Sequence, residues 1–273
     1  MDHPLDSARS KVDRAKQHLG DLERLIANWS DPKRHKIGAK RDPQTEHLHY
    51  YLVGVAKIDE PIPTTIGDVI QNLRSALDHI AFQLVFKDTN GIGPLNKDGT
   101  RRADAFKHVQ FPILEEPPPD NTVREDRHVQ GMAQPSIDAI DRTKPYKGGN
   151  DTLWLINRLN NIDKHRRFVV TGGSHAHDIG RPIFEAMVHA MPFMKGINFP
   201  TITVTDARIR KPGDILYTDT SPQAKFNEDM RFMFLIAFDE PGIIECKSLL
   251  PTLHEMVDLL EGAIIPGFDP LFA

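Results

Sequence analysis

"IGDVIQNLRSALDHIAFQLV", residues 66–85, is the stretch on which the fold turns. At about 100° per residue, as a 3.6 period requires, Ile66, Val69, Leu73, Leu77, Ile80 and Leu84 fall on one stripe. The spacing predicts a helix over about 65–86 with that stripe in a core. Four polar residues border the stripe. Arg74 and Asp78, four apart, share one flank, and Asn72 and His79 share the other. Flanking polar residues suit a helix whose sides meet neighbours. An exposed i,i+4 pair contributes only about 0.2–0.5 kcal/mol, and a buried one is costly to desolvate. If Arg74 and Asp78 are buried, something other than the pair itself must explain it.

A second helix, expected over 152–168 with Asp151 as its cap, repeats these residue types in "LNNIDKHRRF". Trp154, Arg158, Asn161 and His165 share one flank, and Asp163 lies beyond the Leu155/Leu159/Ile162 stripe, next to Lys164. Two helices with Asn, Asp, Arg and His beside apolar stripes can build a polar cluster if they pack together. Arg74, Asp78, Asp163 and His165 are expected to meet there.

Around these helices the chain reads as α+β: a helical bundle-like core, a C-terminal antiparallel sheet and a closing helix. Residues 5–29 place Leu5, Ala8, Val12, Ala15, Leu19, Leu22 and Ile26 at alternating spacings of three and four. That seam predicts a long helix packed on its own domain, or a dimer seam. Residues 30–44, with two prolines and a glycine, read as a solvated basic loop. "HLHYYLVGVAKI", 47–58, reads as a strand. Residues 87–134 form a long connection, with "HVQFPIL" a short extended piece inside it and a short helix near 135–142 after it. "PIFEAMVHAMPF", "TITVTDARI", "DILYT" and "MRFMFLIAF" suggest the sheet, across about 167–238, and the last helix spans about 247–264. A single domain over 1–273 is expected, mainly helical with one strand over 1–166, β-rich over 167–246 and closed by a helix over 247–273.

The 273 residues carry a net charge of −4 and one cysteine, Cys246. There is no global basic field to draw the chain to nucleic acid or membrane. No internal disulfide is possible, and a Cys-rich zinc site is excluded. The N-terminus lacks an apolar signal core, and the longest apolar run, "FMFLIAF", is too short to span a bilayer. A cytoplasmic protein without a membrane partner is expected.

"GDVIQNLRSALDHIAFQLV", then "FPI", then "KPYKG" and "LWLINRLNNIDKHRRFVV" together resemble a widespread bacterial family of uncharacterised proteins with an NLRSALDH block and an N-x-DKHR block. The resemblance covers about 45–170 and implies kinship, with no activity to carry over. Arg74 and His79 also fit the R-x4-6-H signature of HEPN-type ribonucleases, α-helical proteins whose two copies meet at a dimer interface. Arg158/His165 lies on the second helix, whereas Arg41/His47 and Arg102/His108 fall in expected loops. Ser75 follows Arg74 where those enzymes often place Asn, Asp or His.

This resemblance implies a metal-independent endoribonuclease that acts on RNA as a homodimer. His79 would be the acid–base, because histidine titrates near neutrality. Arg74 would clamp the phosphate, Asn72 and Asp78 would orient them, and Arg158 and His165, supported by Asn161, Asp163 and Lys164, would complete the site. No cofactor is needed. The alternative is a non-catalytic binding or oligomerising protein in which the same residues form a structural polar network. A further alternative is a metal-dependent hydrolase using Asp78, His79, Asp163 and His165, with His175 and His177 of "HAHD" as extra ligand types, although no recognised metal spacing appears.

Overall fold

The computed structural model describes residues 3–96, 98–165, 170–173, 212–221, 224–225 and 234–273. The architecture is α+β, and the chain divides into two compact units. The first unit comprises residues 1–22, 63–168 and 250–273, and the second comprises 23–62 and 169–249.

The first unit is helical. It draws on α1 (Asp6–Trp29), α2 (Pro61–Asp88), α3 (Gln134–Arg142), α4 (Asp151–Asp163) and the closing α5 (Leu249–Leu259). The α2 stripe from Ile66 to Leu84 is fully buried, as its period requires. The α1 seam, Leu5 to Ile26, is buried within the chain as well. Of the two readings of that seam, packing on its own chain is the one observed, so the seam is not available to a second copy. Asn150, whose side chain accepts the Leu153 N–H, caps α4 one residue before the expected Asp151. The described part of α4 ends at Asp163, earlier than the expected 168. After α5 the helix widens into a π-turn, Leu260–Ile264, in which Ile265 N–H reaches Leu260 O. Pro266 follows directly and has no N–H to continue the regular ladder.

Among the described residues, the second unit holds two antiparallel sheets. β1 (Lys36–Arg41), β2 (Leu48–Gly54) and β4 (Ile215–Asp219) form one in the order β1-β2-β4. β3 (Val170–Gly173), β5 (Leu235–Glu240) and β6 (Ile244–Ser248) form the other in the order β3-β5-β6. β2 shows the alternation of a half-buried strand, with Leu48, Tyr50 and Leu52 inside. β1 is a correction, because its residues lie in the stretch read as a solvated loop. It is an edge strand with a glycine and three basic residues, none of its residues buried, and its strand character comes from the β2 register. The strand expected in "DILYT" is β4, and "MRFMFLIAF" contributes the start of β5. "HVQFPIL" forms no strand, only an isolated bridge from Leu114 to Tyr146. The strands expected in 182–193 and 201–209, and His175 and His177, lie outside the described residues.

Candidate functional site

The explanation for the two polar helix flanks starts in the loop between α2 and α3. Phe111 is buried, and its ring meets Phe268 edge-on at a centroid distance of 6.0 Å. Sinking that ring into the core carries the Phe111 main chain inward, and a main chain taken from water needs hydrogen-bond partners. α2 supplies both. Arg74 Nη2 donates to Phe111 O at 2.9 Å, and Asp78 Oδ1 accepts the Phe111 N–H at 3.0 Å. Arg74 Nη2 and Asp78 Oδ1 lie 3.1 Å apart, which closes the ring of contacts. The i,i+4 spacing puts a donor and an acceptor on one flank at the separation of one residue's C=O and N–H.

Arg74 is only 6% exposed, and burial lowers its pKa below the ordinary arginine value, partly offset by Asp78. Asp78 keeps a third of its side chain in solvent, at 33%. Burial still raises its carboxyl above the usual range, against the opposing charge of Arg74 and the Phe111 N–H. Both charged groups are thus used on the main chain of one loop residue. Arg74 Nη1 is buried without a partner among the described residues.

Four residues further along the same loop, α4 provides a second grip. Glu115 accepts from Trp154 Nε1 at 2.9 Å and from Arg158 Nη1 at 3.1 Å. The Arg158 guanidinium lies over the Trp154 ring at 6.0 Å, and Lys147 Nζ at 4.8 Å. Between the two grips, Leu114 N–H bonds to Pro145 O. Arg74 and Asp78 of α2 and Trp154 and Arg158 of α4 therefore converge on the segment 111–115 and not on each other.

The remaining expected residues go elsewhere. His79 is half-buried and faces α1. Its pKa is lowered by burial and then by the Lys11 charge, while Asp78 and a main-chain hydrogen bond to Ser7 act the other way. Arg74 and His79 point to different neighbours, the Phe111 main chain and α1, and only the charge of Asp78 reaches both, in keeping with the about 140° between positions five apart on a helix. Asn72 bonds back to Asp68 O at 2.8 Å. Asp163 does meet α2, but beside Gly67, where both carboxylate oxygens lie 2.6 Å from the position a Cβ would take. Burial and the Asp68 charge raise the Asp163 pKa. Asn161, Lys164 and His165 are exposed, and Lys164 reaches Asp78 only through its charge. Of the four residues expected to meet, only Arg74 and Asp78 touch.

Sequence reading missed Phe111, Gly67 and Glu115. Phe111 is engaged through its main chain, which carries no side-chain signature, and Gly67 matters for an absent side chain. Asn160 was also missed. It is 1% exposed, with neither amide atom partnered among the described residues. Among the described residues no three His, Cys, Asp or Glu side chains group as metal ligands. No described helix is long and apolar enough to cross a membrane. Comparison with family models, curated proteins and solved structures finds no match for this chain.

Proposed function

We propose that this chain is a non-catalytic binding protein in which the α2–α4 cluster is structural. One observation carries the reading: Arg74 and Asp78 take both main-chain polar groups of the buried Phe111. A phosphate clamp needs a guanidinium with donors open to ligand, and the Arg74 side chain is shut in against that loop. An acid–base partner would have to approach the same phosphate, and His79 faces α1 instead.

The cluster fixes the 111–115 segment and so shapes the long connection from α2 to α3. Long ordered connections on a rigid helical frame are common seats of binding surfaces.

The test uses the full chain with a mixed single-stranded RNA pool, with and without chelator, and measures the stability of Arg74→Met. The expected result is intact RNA, together with a loss of about 2–4 kcal/mol in Arg74→Met as Asp78 and Phe111 O lose their partner. The result against it is cleavage that disappears in a folded His79→Ala variant. Survival of that cleavage in chelator would favour the metal-independent ribonuclease, and its loss a metal-dependent hydrolase.

A further inference from the structure

The connection from α2 to α3 leaves the helix at Asp88 and comes back to it. Asp88 Oδ2 accepts the Ala133 N–H at 2.8 Å, and Thr89 Oγ1 accepts the Gly93 N–H at 2.9 Å. Between these ties the loop forms a half-open pocket of about 230 Å³. Pro94, Ala105, Arg102 and His108 line it from the outgoing arm, and Arg127 and Gln130 from the returning arm. Arg102 Nη1 donates to Gln130 at 3.0 Å, which joins the two arms.

The charges in this pocket are unbalanced. Neither Arg102 nor Arg127 has a carboxylate within salt-bridge distance among the described residues. Arg102 donates to Gln130 instead, and Arg127 Nε to His128 Nε2 at 3.3 Å. The nearby acids bond to other groups: Asp126 to His128 at 2.6 Å, with Arg127 reaching it only through its charge, Asp104 to Lys107 at 4.0 Å, and Asp98 to Thr100 at 2.6 Å. Two guanidinium groups and an imidazole thus border one cavity with donors to spare. Arg102 and His108 are the pair that the sequence placed in a loop.

One wall of the pocket continues into an aromatic face. A Cβ on Gly93 (φ +78°) would lie 2.7 Å from Ala105 Cβ and 3.1 Å from the Phe106 ring, so only glycine fits there. This close approach joins the Gly93–Pro94 arm of the loop to Ala105 and Phe106. Phe106 in turn lies 5.0 Å from Phe82 and 6.3 Å from Phe86, centroid to centroid, with Phe82 and Phe86 5.9 Å apart and nearly parallel. Phe82 is 38% exposed and Phe86 47%. Exposed aromatic rings beside arginines that form no salt bridge are the two halves of single-strand recognition. Rings stack bases whatever their sequence, and guanidinium groups hold phosphates.

We propose that this surface binds single-stranded nucleic acid, with a backbone phosphate in the Arg102/Arg127/His108 pocket and bases on Phe82 and Phe86. The proposal gives a ligand class to the binding protein inferred above and rests on that reading. A duplex hides its base faces and offers phosphates only, so the aromatic face discriminates against it.

The test is fluorescence anisotropy of a labelled twelve-nucleotide RNA of mixed sequence, single-stranded and as a blunt duplex, at low and moderate salt. The single strand should bind about tenfold or more tighter than the duplex. Arg102→Gln/Arg127→Gln should weaken both by about tenfold or more and flatten the salt dependence. Phe82→Ser/Phe86→Ser should weaken the single strand by about tenfold and leave the duplex unchanged. Equal affinity for single strand and duplex, no binding by wild type at low salt, or unchanged binding in either double variant overturns the proposal. If a variant does not fold, photocrosslinking of bromouridine-substituted RNA to wild type decides the matter. Adducts should map to residues 82–130, and adducts elsewhere overturn it. RNA cleavage in the earlier assay would sink the non-catalytic reading without touching these outcomes.

Discussion

Phe111 accounts for an arginine and an aspartate four residues apart on α2, and it was the residue hardest to find. Arg74 and Asp78 were visible as charges beside an apolar stripe. Their partner lies 33 positions from Asp78 and is engaged through N–H and C=O, which every residue carries. Gly67 and Asp163 pose the same difficulty, because the contact depends on a missing Cβ. Their geometry yields a coupled outcome. Gly67→Ala alone should be near neutral, since the gain of about 1 kcal/mol in helix propensity is offset by displacing a carboxylate 2.6 Å from the new methyl. In an Asp163→Ala background that clash is gone, and Gly67→Ala should stabilise by about 0.5–1 kcal/mol. Urea melts of the four proteins check this. Equal effects in both backgrounds would contradict the close approach.

At the scale of elements, the helices were the legible part. The α1 and α2 stripes gave both type and inward face, because a 3.6 period is written in the residues themselves. β1 was not legible, because an edge strand with neither face buried has no apolar alternation and owes its order to β2. His35, just before β1, was not singled out either. It is buried, and its ring stacks on Phe234 at 3.9 Å and meets Trp29 edge-on. Its Nε2 faces Trp29 O at 2.9 Å, while Nδ1 accepts the Ala56 N–H at 3.4 Å. One nitrogen must donate and the other accept, so the ring is held neutral, and burial lowers its pKa. The unfolded chain then takes up the proton first. Stability should fall as pH drops below the ordinary histidine value of about 6.5 and level off below the folded value. His79, lowered in the same direction, adds to this. Denaturant melts between pH 7.5 and 5.5 should show the loss, and His35→Gln should reduce the slope. An unchanged slope in that variant would mean that His35 does not titrate as described.

For the whole molecule, the α+β class was readable from period and from the order of the expected helices and strands, and the division into units was not. Each unit is assembled from chain segments far apart in sequence, 23–62 with 169–249 in one case. Such boundaries follow non-local contacts, which leave no mark at a single position. The overall charge of −4 likewise conceals a local surface where two arginines have no carboxylate within salt-bridge distance among the described residues. The pocket, Phe106 and the 111–115 segment belong to one connection, which meets Phe82 and Phe86 of α2, and the claim that joins them is that α2 and α4 hold it in place. The most direct measurement is hydrogen exchange at the Phe111 amide, which lies outside every helix and strand. The account predicts exchange at least about 10²-fold slower than in a free peptide, and fast exchange in a folded Asp78→Ala variant. An amide that exchanges at free-loop rates in the wild-type protein, or equally slowly in both proteins, would contradict it.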